Sequence, residues 1–112
     1  MKIDFHVHNA HPDRANMEAV IACAAALGID RLVLLGDVLA YGFYPTREQV
    51  KAINDRSIQL VRQFSETLLG FCFLNPANDP AFNTAEMDRC ITEEGFRGVK
   101  LEAAVNCRRP AL

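Results

Sequence analysis

Two histidines near the start of the chain, His6 and His8, have a spacing that suits metal binding. Imidazole nitrogen is a good ligand for Zn²⁺ and also for Mn²⁺, Fe²⁺ and Ni²⁺. Histidines at positions i and i+2 of a strand project from one face, roughly 6.5 to 7 Å apart at the backbone. Their rings can therefore converge on one cation, and Asp4 on the same face could orient an imidazole. The alternative interpretation is a polar pair at a strand end that holds no metal.

The segment that carries these histidines is predicted to be a strand. Apolar and polar residues alternate over residues 2–8, so Ile3, Phe5 and Val7 form an apolar face opposite the histidines. Three further strands are predicted near residues 30–36, 68–74 and 97–102, where short apolar runs are bounded by polar residues or glycine.

Helices are predicted between these strands. The first covers residues 14–27, and the second begins at a Thr46–Gln49 capping box and ends near residue 66. The third is expected to begin at a Thr84 cap and to end at Gly95. The order β-α-β-α-β-α-β is typical of parallel units joined by right-handed crossovers.

Two α/β architectures have this order of elements, a doubly wound sheet and a (β/α)₈ barrel. The polar face of the first strand would be costly to bury against a layer of helices, whereas in a barrel it would face the lumen. A barrel has about 250 residues, and this chain has 112. The sequence therefore predicts a single domain, residues 1–112, whose parallel βαβαβαβ units form about the first half of a TIM (β/α)₈ barrel.

Lys100 is a second candidate metal ligand. A lysine on the inner face of a barrel strand is costly unless it is paired, bound to substrate or carbamylated on its nitrogen. Carbamylation would convert Lys100 into an anionic ligand. Glu102, which shares its face of the strand, is instead an ion-pair partner in the simpler interpretation, and the residue types leave both open.

Composition limits the partners and the compartment. A net charge of −2 gives no reason to expect nucleic acid or an acidic membrane surface. No apolar run approaches the roughly 18 residues that span a bilayer. The four cysteines form no CxxC pair and no export signal is visible, which indicates reduced thiols in the cytoplasm. Cys23 and Cys72 lie in apolar segments and are predicted to be core residues.

Three segments together resemble a known family. They are "IDFHVH" at residues 3–8, "GFCFLNP" at 70–76 and "EEGFRGVKLE" at 93–102. In this order they are similar to the amidohydrolase-related metal-dependent hydrolases (the amidohydrolase 2 group) of the amidohydrolase superfamily. The resemblance implies a (β/α)₈ barrel with one or two metal ions at its C-terminal face. It also implies that His6 and His8 are metal ligands, and that Lys100 occupies a position carbamylated in some branches.

The resemblance implies ligands that this chain lacks. The family has further histidines on strands five and six and an aspartate base on strand eight, but no histidine or aspartate follows Lys100. We therefore expect no catalytic residue in this chain and a general base beyond residue 112. The chain is expected to be the N-terminal part of a longer protein and to be inactive alone.

The activity implied for the full-length form is hydrolysis of a C–N or C–O bond in a small molecule such as an amide, a lactone or a cyclic carboxylic acid. Zn²⁺ is the expected metal, with Mn²⁺, Fe²⁺ or Ni²⁺ as alternatives. Some relatives are decarboxylases, so a metal-dependent lyase is also open.

Four residues outside these motifs are candidate substrate contacts: His11, Tyr41, Arg108 and Arg109. Tyr41 belongs to an aromatic loop after the second strand. The two arginines follow the fourth strand and could face a carboxylate. Each of the four also has a simpler interpretation as a solvated or locally packed loop residue.

Two other functions remain open. Phosphoesterases of the polymerase-and-histidinol-phosphatase type also begin with HxH, but they follow strand two with an aspartate-histidine pair, and here Val38 follows Asp37. A non-catalytic half-barrel fragment or assembly module is the other alternative. Its uncovered sheet edges would favour self-association or pairing with the missing C-terminal half of the barrel.

Overall fold

A computed structural model describes residues 1–9 and 14–101. Its strands are Ile3–Val7 (β1), Arg31–Leu34 (β2), Leu68–Leu74 (β3) and Gly98–Leu101 (β4). Its helices are Arg14–Ala26 (α1), Arg47–Gln63 (α2) and Pro80–Met87 (α3), and a π-helical segment, Asp88–Glu93, extends α3. The strands are parallel and pair in the order β1-β2-β3-β4. This curled half-barrel, with helices between consecutive strands, confirms the predicted fold class.

The edge strands bury less of their apolar surface than the inner ones. On β1, Ile3 and Phe5 are 39% and 65% exposed, and only Val7 of the predicted apolar face packs into the core. The pairing of β1 with β2 also shifts register between Asp4 and Val7, which interrupts the alternation. On β4, Leu101 is likewise exposed. The inner strands β2 and β3 supply most of the buried strand residues.

Two of the predicted helix starts can be compared with the structure. The Thr46 hydroxyl accepts a hydrogen bond from the Gln49 main-chain N–H at 3.2 Å, and the Gln49 side chain accepts one from Thr46 N–H at 2.9 Å, so the capping box is confirmed. The predicted Thr84 cap is wrong, because α3 begins four residues earlier at Pro80 and is capped by Asp79. Proline suits a first helical position, since it lacks the N–H that would have no partner there.

The core consists of three clusters of buried apolar side chains. The first joins α1, α2, β2 and β3, and comprises Met17, Ala24, Leu32, Leu34, Leu60 and Leu68. The second comprises Val38, Val50, Ile53 and Phe73. The third comprises Ile58, Cys72, Leu74, Cys90 and Phe96.

The structure separates the two cysteines that were predicted to lie in the core. Cys72 is buried, as predicted, whereas Cys23 is exposed on α1 and that prediction is wrong. Among the described residues, no helix combines the length and the apolar character needed to cross a membrane.

A buried polar network links α2, β3 and α3. The Asn54 side chain accepts a hydrogen bond from Phe73 N–H at 2.8 Å and donates to Phe73 O at 2.9 Å. It also donates to Glu86 Oε2 at 3.0 Å. Arg89 binds the same carboxylate through Nε at 2.7 Å and Nη2 at 2.9 Å, and its Nη1 lies 2.7 Å from Asp55 Oδ1. These bonds satisfy a carboxylate that is only 3% exposed.

The network determines the ionisation of Glu86. Burial alone would raise the pKa of its carboxyl, but hydrogen bonds from Arg89 and Asn54 outweigh burial and hold the pKa below its ordinary value of 4.5. The contact with Glu86 in turn raises the pKa of Arg89. A lowered carboxyl pKa stabilises the folded chain above pH 4.5, and that stabilisation is lost as the pH falls through the lowered value.

We predict that Glu86→Gln lowers the free energy of unfolding at pH 7 by about 3 kcal/mol, because Arg89 then lacks its buried counter-charge. The variant should also lose part of the acid dependence of stability below pH 4.5. Urea unfolding at pH 3.5, 4.5 and 7 measures both effects. Glu93→Gln is the matched control, since Glu93 is exposed; a change equal to that of Glu86→Gln would contradict this role.

Gly70 on β3 lies under the ring of Phe96, and a Cβ atom there would overlap that ring. We predict that Gly70→Ala destabilises the fold by about 2 kcal/mol through overpacking. Phe96→Leu should relieve the overlap, so the double variant should lose less stability than the sum of the two single variants. Strict additivity in urea unfolding would disprove the contact.

Candidate metal site at the end of the first strand

The two histidines of the motif meet at the C-terminal end of β1. Their Nε2 atoms lie 3.0 Å apart, and the ring centroids are 4.9 Å apart with the ring planes at 67°. His8 Nδ1 lies 2.7 Å from the carbonyl oxygen of Gly36. A carbonyl oxygen can only accept, so Nδ1 of His8 carries the hydrogen and donates it. This leaves the lone pair of a neutral His8 on Nε2, facing His6.

This geometry suits a shared cation. Two nitrogens bound to one ion at about 2.0–2.1 Å lie about 2.8–3.4 Å apart for ordinary octahedral or tetrahedral angles. The Nε2 atoms are 3.0 Å apart, within that range, and at this distance the two rings share a hydrogen bond without an ion. A metal-binding histidine usually donates its other ring N–H to a carbonyl or carboxylate, as His8 does here. The donor pair therefore fits a divalent transition metal.

Gly36 is the residue that positions His8, and the sequence analysis did not single it out. It has a φ of +85°, a conformation that favours glycine. A Cβ atom there would lie 3.1 Å from both Ile53 Cγ2 and Ser57 Oγ on α2. Leu35 N–H donates to Val7 O at 2.8 Å, which ties the end of β2 to β1 beside His8. A glycine at the end of a buried apolar run is the sequence signal that marks this position.

Asp4 has a different role from the one predicted. Its Oδ1 accepts a hydrogen bond from the main-chain N–H of His6 at 2.9 Å. The carboxylate therefore fixes the backbone of β1 and does not bind an imidazole. The cause is local, because the short aspartate side chain reaches the main-chain N–H two residues along the chain more readily than it reaches an imidazole ring.

The described residues supply two candidate metal ligands at this site, His6 and His8. Across residues 1–9 and 14–101, no three histidine, cysteine, aspartate or glutamate side chains are grouped to hold an ion. A protein site for zinc normally has three or four protein ligands. The pair is therefore a partial ligand set.

Lys100 lies on β4, half-buried and opposite Phe73 of β3. Two strands separate β4 from β1, a spacing of about 14 Å in a flat sheet. Curvature shortens the distance across the inner face of the sheet. The role of Lys100 as a ligand stays a prediction.

Of the other predicted site residues, the structure describes Tyr41. Tyr41, in the loop between β2 and α2, is 47% exposed and lines a cavity with Asn9 and Asp37. His11, Glu102, Arg108 and Arg109 lie outside the described residues. Their roles therefore stay predictions.

Cys72 is a core residue and not a candidate nucleophile. A hydrogen bond with Cys90 and burial together raise the pKa of the Cys72 thiol above its ordinary value. A thiol is a good nucleophile only as the thiolate. Cys72 packs with Cys90 in the third core cluster.

Sequence comparison alone gives no relatives for this chain. No protein-family model matches the sequence. No curated protein is significantly similar to it.

Solved structures, in contrast, share its fold. A dihydroxybenzoic acid decarboxylase from Polaromonas, with bound manganese and the inhibitor 2-nitroresorcinol, matches 88% of this chain at 21% identity and a TM-score of 0.68. A protein named amidohydrolase II matches 95% at 16% identity and a TM-score of 0.70. The 4-oxalomesaconate hydratase from Rhodopseudomonas palustris matches 86% at 16% identity and a TM-score of 0.63.

The chain spans 37%, 45% and 40% of the lengths of these three structures, respectively. At such low identities the likeness concerns the fold. The described residues thus have the fold of the N-terminal part of amidohydrolase-related barrels, which confirms at the level of the fold the resemblance indicated by the sequence motifs.

Proposed function

We propose that this chain forms the N-terminal, metal-binding part of a metal-dependent barrel enzyme that acts on a small molecule. The observation that carries the proposal is the 3.0 Å approach of the His6 and His8 Nε2 atoms, with His8 oriented by the Gly36 carbonyl. In its full-length form, the reaction we propose is hydrolysis of a C–N or C–O bond. Zn²⁺ is the proposed metal, and Mn²⁺, Fe²⁺ and Ni²⁺ are alternatives.

The residues of this chain prepare the site in two ways. The Gly36 carbonyl keeps a hydrogen on Nδ1 of His8 and so turns Nε2 of that ring toward His6. The bond from His6 N–H to Asp4 holds the strand end that carries both rings. A divalent ion bound there would lower the pKa of a water ligand to about 7 and polarise a substrate oxygen. The general base is expected from outside residues 1–112.

Decarboxylation is the second candidate reaction. It is favoured by the similarity in fold to a dihydroxybenzoic acid decarboxylase that contains manganese. Hydrolysis and decarboxylation could use the same histidine pair, because both need an ion at the mouth of the barrel. Zn²⁺ and Mn²⁺ are therefore the two ions to compare. Lys100, carbamylated on its nitrogen, is the proposed third ligand on β4.

We predict that the chain binds Zn²⁺ weakly and that His6→Ala/His8→Ala reduces its affinity at least tenfold, because both imidazole ligands are removed. Isothermal titration and metal analysis of purified protein measure the effect, and no turnover is expected from the isolated chain. Cys23→Ser is the control, since Cys23 is an exposed thiol that could bind zinc by itself. Equal metal content in wild type and the double histidine variant would refute the proposal.

A second prediction concerns Gly36. Gly36→Ala should weaken metal binding about tenfold, because the added Cβ meets Ile53 and Ser57 and displaces the carbonyl that orients His8. Nitrogen-15 chemical shifts of His8 should show a loss of the Nδ1–H tautomer, and Co²⁺ absorption reports the affinity.

Gly42→Ala is the matched control for this variant. Gly42 also has a positive φ, of +84°, but a Cβ atom there meets no atom within 4 Å. It should cost stability through backbone strain and leave the His8 tautomer and metal affinity unchanged. A Gly36→Ala protein with wild-type tautomer and affinity would show that the carbonyl does not position His8.

A further inference from the structure

Gly36 faces a notch between two side chains of α2. A Cβ atom placed on Gly36 would lie 3.1 Å from Ile53 Cγ2 and 3.1 Å from Ser57 Oγ. Ile53 and Ser57 are four residues apart in the helix, so they lie on one face in successive turns. Both are buried, with exposed fractions of 4% and 1%. The helix therefore packs against the very residue whose carbonyl orients His8.

The Ser57 hydroxyl makes no hydrogen bond within the described part of the chain, although its Oγ is buried. Buried polar side chains in proteins are nearly always paired, so a buried serine in this state calls for an explanation. Hydrogen bonding to the described residues does not supply one. Small size does, because Ser57 stands beside a glycine at which even a Cβ atom would be crowded.

A displacement of Gly36 would act directly on His8. The Gly36 carbonyl lies 2.7 Å from His8 Nδ1 and keeps a hydrogen on that nitrogen. Protein interiors are close-packed, so a larger side chain at position 57 would push the Gly36 backbone away from α2. The carbonyl would then leave its position against Nδ1, and the constraint on the His8 tautomer would be lost.

We propose that Ser57 is a positioning residue for His8, and that it acts through Gly36 by the small size of its side chain. The packing of α2 on Gly36 thereby sets where the carbonyl stands relative to the imidazole. The consequence for metal binding rests on the proposed function, whereas the consequence for the His8 tautomer does not. The two can therefore be measured separately.

Ser57→Val tests the size of the side chain, and Ser57→Ala tests the hydroxyl. In the metal-free protein, nitrogen-15 chemical shifts of His8 should show loss of the Nδ1–H tautomer in Ser57→Val and the wild-type tautomer in Ser57→Ala. Zn²⁺ titration should show an affinity about tenfold weaker in Ser57→Val and unchanged in Ser57→Ala. Val50→Ile is the matched control, because it adds bulk at a buried α2 residue of the second core cluster. It should leave the His8 tautomer unchanged.

A double variant keeps the test valid if Ser57→Val fails to fold. Ser57→Ala in a Gly36→Ala background removes one of the two atoms that the added Cβ meets, so part of the lost Nδ1–H signal should return. A wild-type tautomer in Ser57→Val, no recovery in the double variant, or loss of the tautomer in Ser57→Ala would overturn the proposal. If wild type binds no Zn²⁺ but the tautomer responds as expected, the proposed function fails and the role of Ser57 stands.

Discussion

The hydrogen bonds between the Asn54 side chain and the backbone of Phe73 are the constraint on which the half-barrel depends. Strand β2 ends at Leu34, which pairs with Gly70, so β3 continues for four residues beyond its neighbour on that side. There the Asn54 side chain supplies the hydrogen bonds that a neighbouring strand would otherwise make. It accepts from Phe73 N–H and donates to Phe73 O. Because these backbone groups are buried, leaving them unpaired would cost about 1–3 kcal/mol each. The bond to Glu86 then extends the same link to α3.

Helix α2 consequently supports both the fold and the candidate metal site. The face that carries Asn54 also places Ile53 and Ser57 against Gly36, whose carbonyl orients His8. Ile53 also lines a pocket, together with Arg56 one turn along the helix. A single helix therefore contacts β3, the glycine whose carbonyl orients His8, and a pocket. Such shared support explains how a short strand end can hold two imidazoles at a fixed distance.

Local signals were sufficient for much of the fold. The extent of β3 and the Thr46–Gln49 capping box follow from the nearest residues and were predicted correctly. The start of α3 was missed because Asp79 and Thr84 are both good caps, and the proline after Asp79 decides between them. The Asn54–Glu86 contact joins residues 32 positions apart. No periodicity or spacing in the sequence predicts such a pair, because the packing of α2 and α3 on the sheet brings the two residues together.

The contrast between local signals and long-range contacts also applies to the candidate site. It explains why the sequence indicates candidate ligands more clearly than a reaction. Alternate residues of a strand lie on one face, so the pairing of His6 with His8 could be predicted from the sequence. The contact of His8 with Gly36 joins residues 28 positions apart and could not be predicted in that way. Two imidazoles alone would only fix an ion at the barrel mouth. Proteins with this fold include a decarboxylase and a hydratase. One fold thus carries different reactions, so other groups must distinguish them. Loops after the strands, such as the one carrying Asp37 and Tyr41, are where a barrel places such groups.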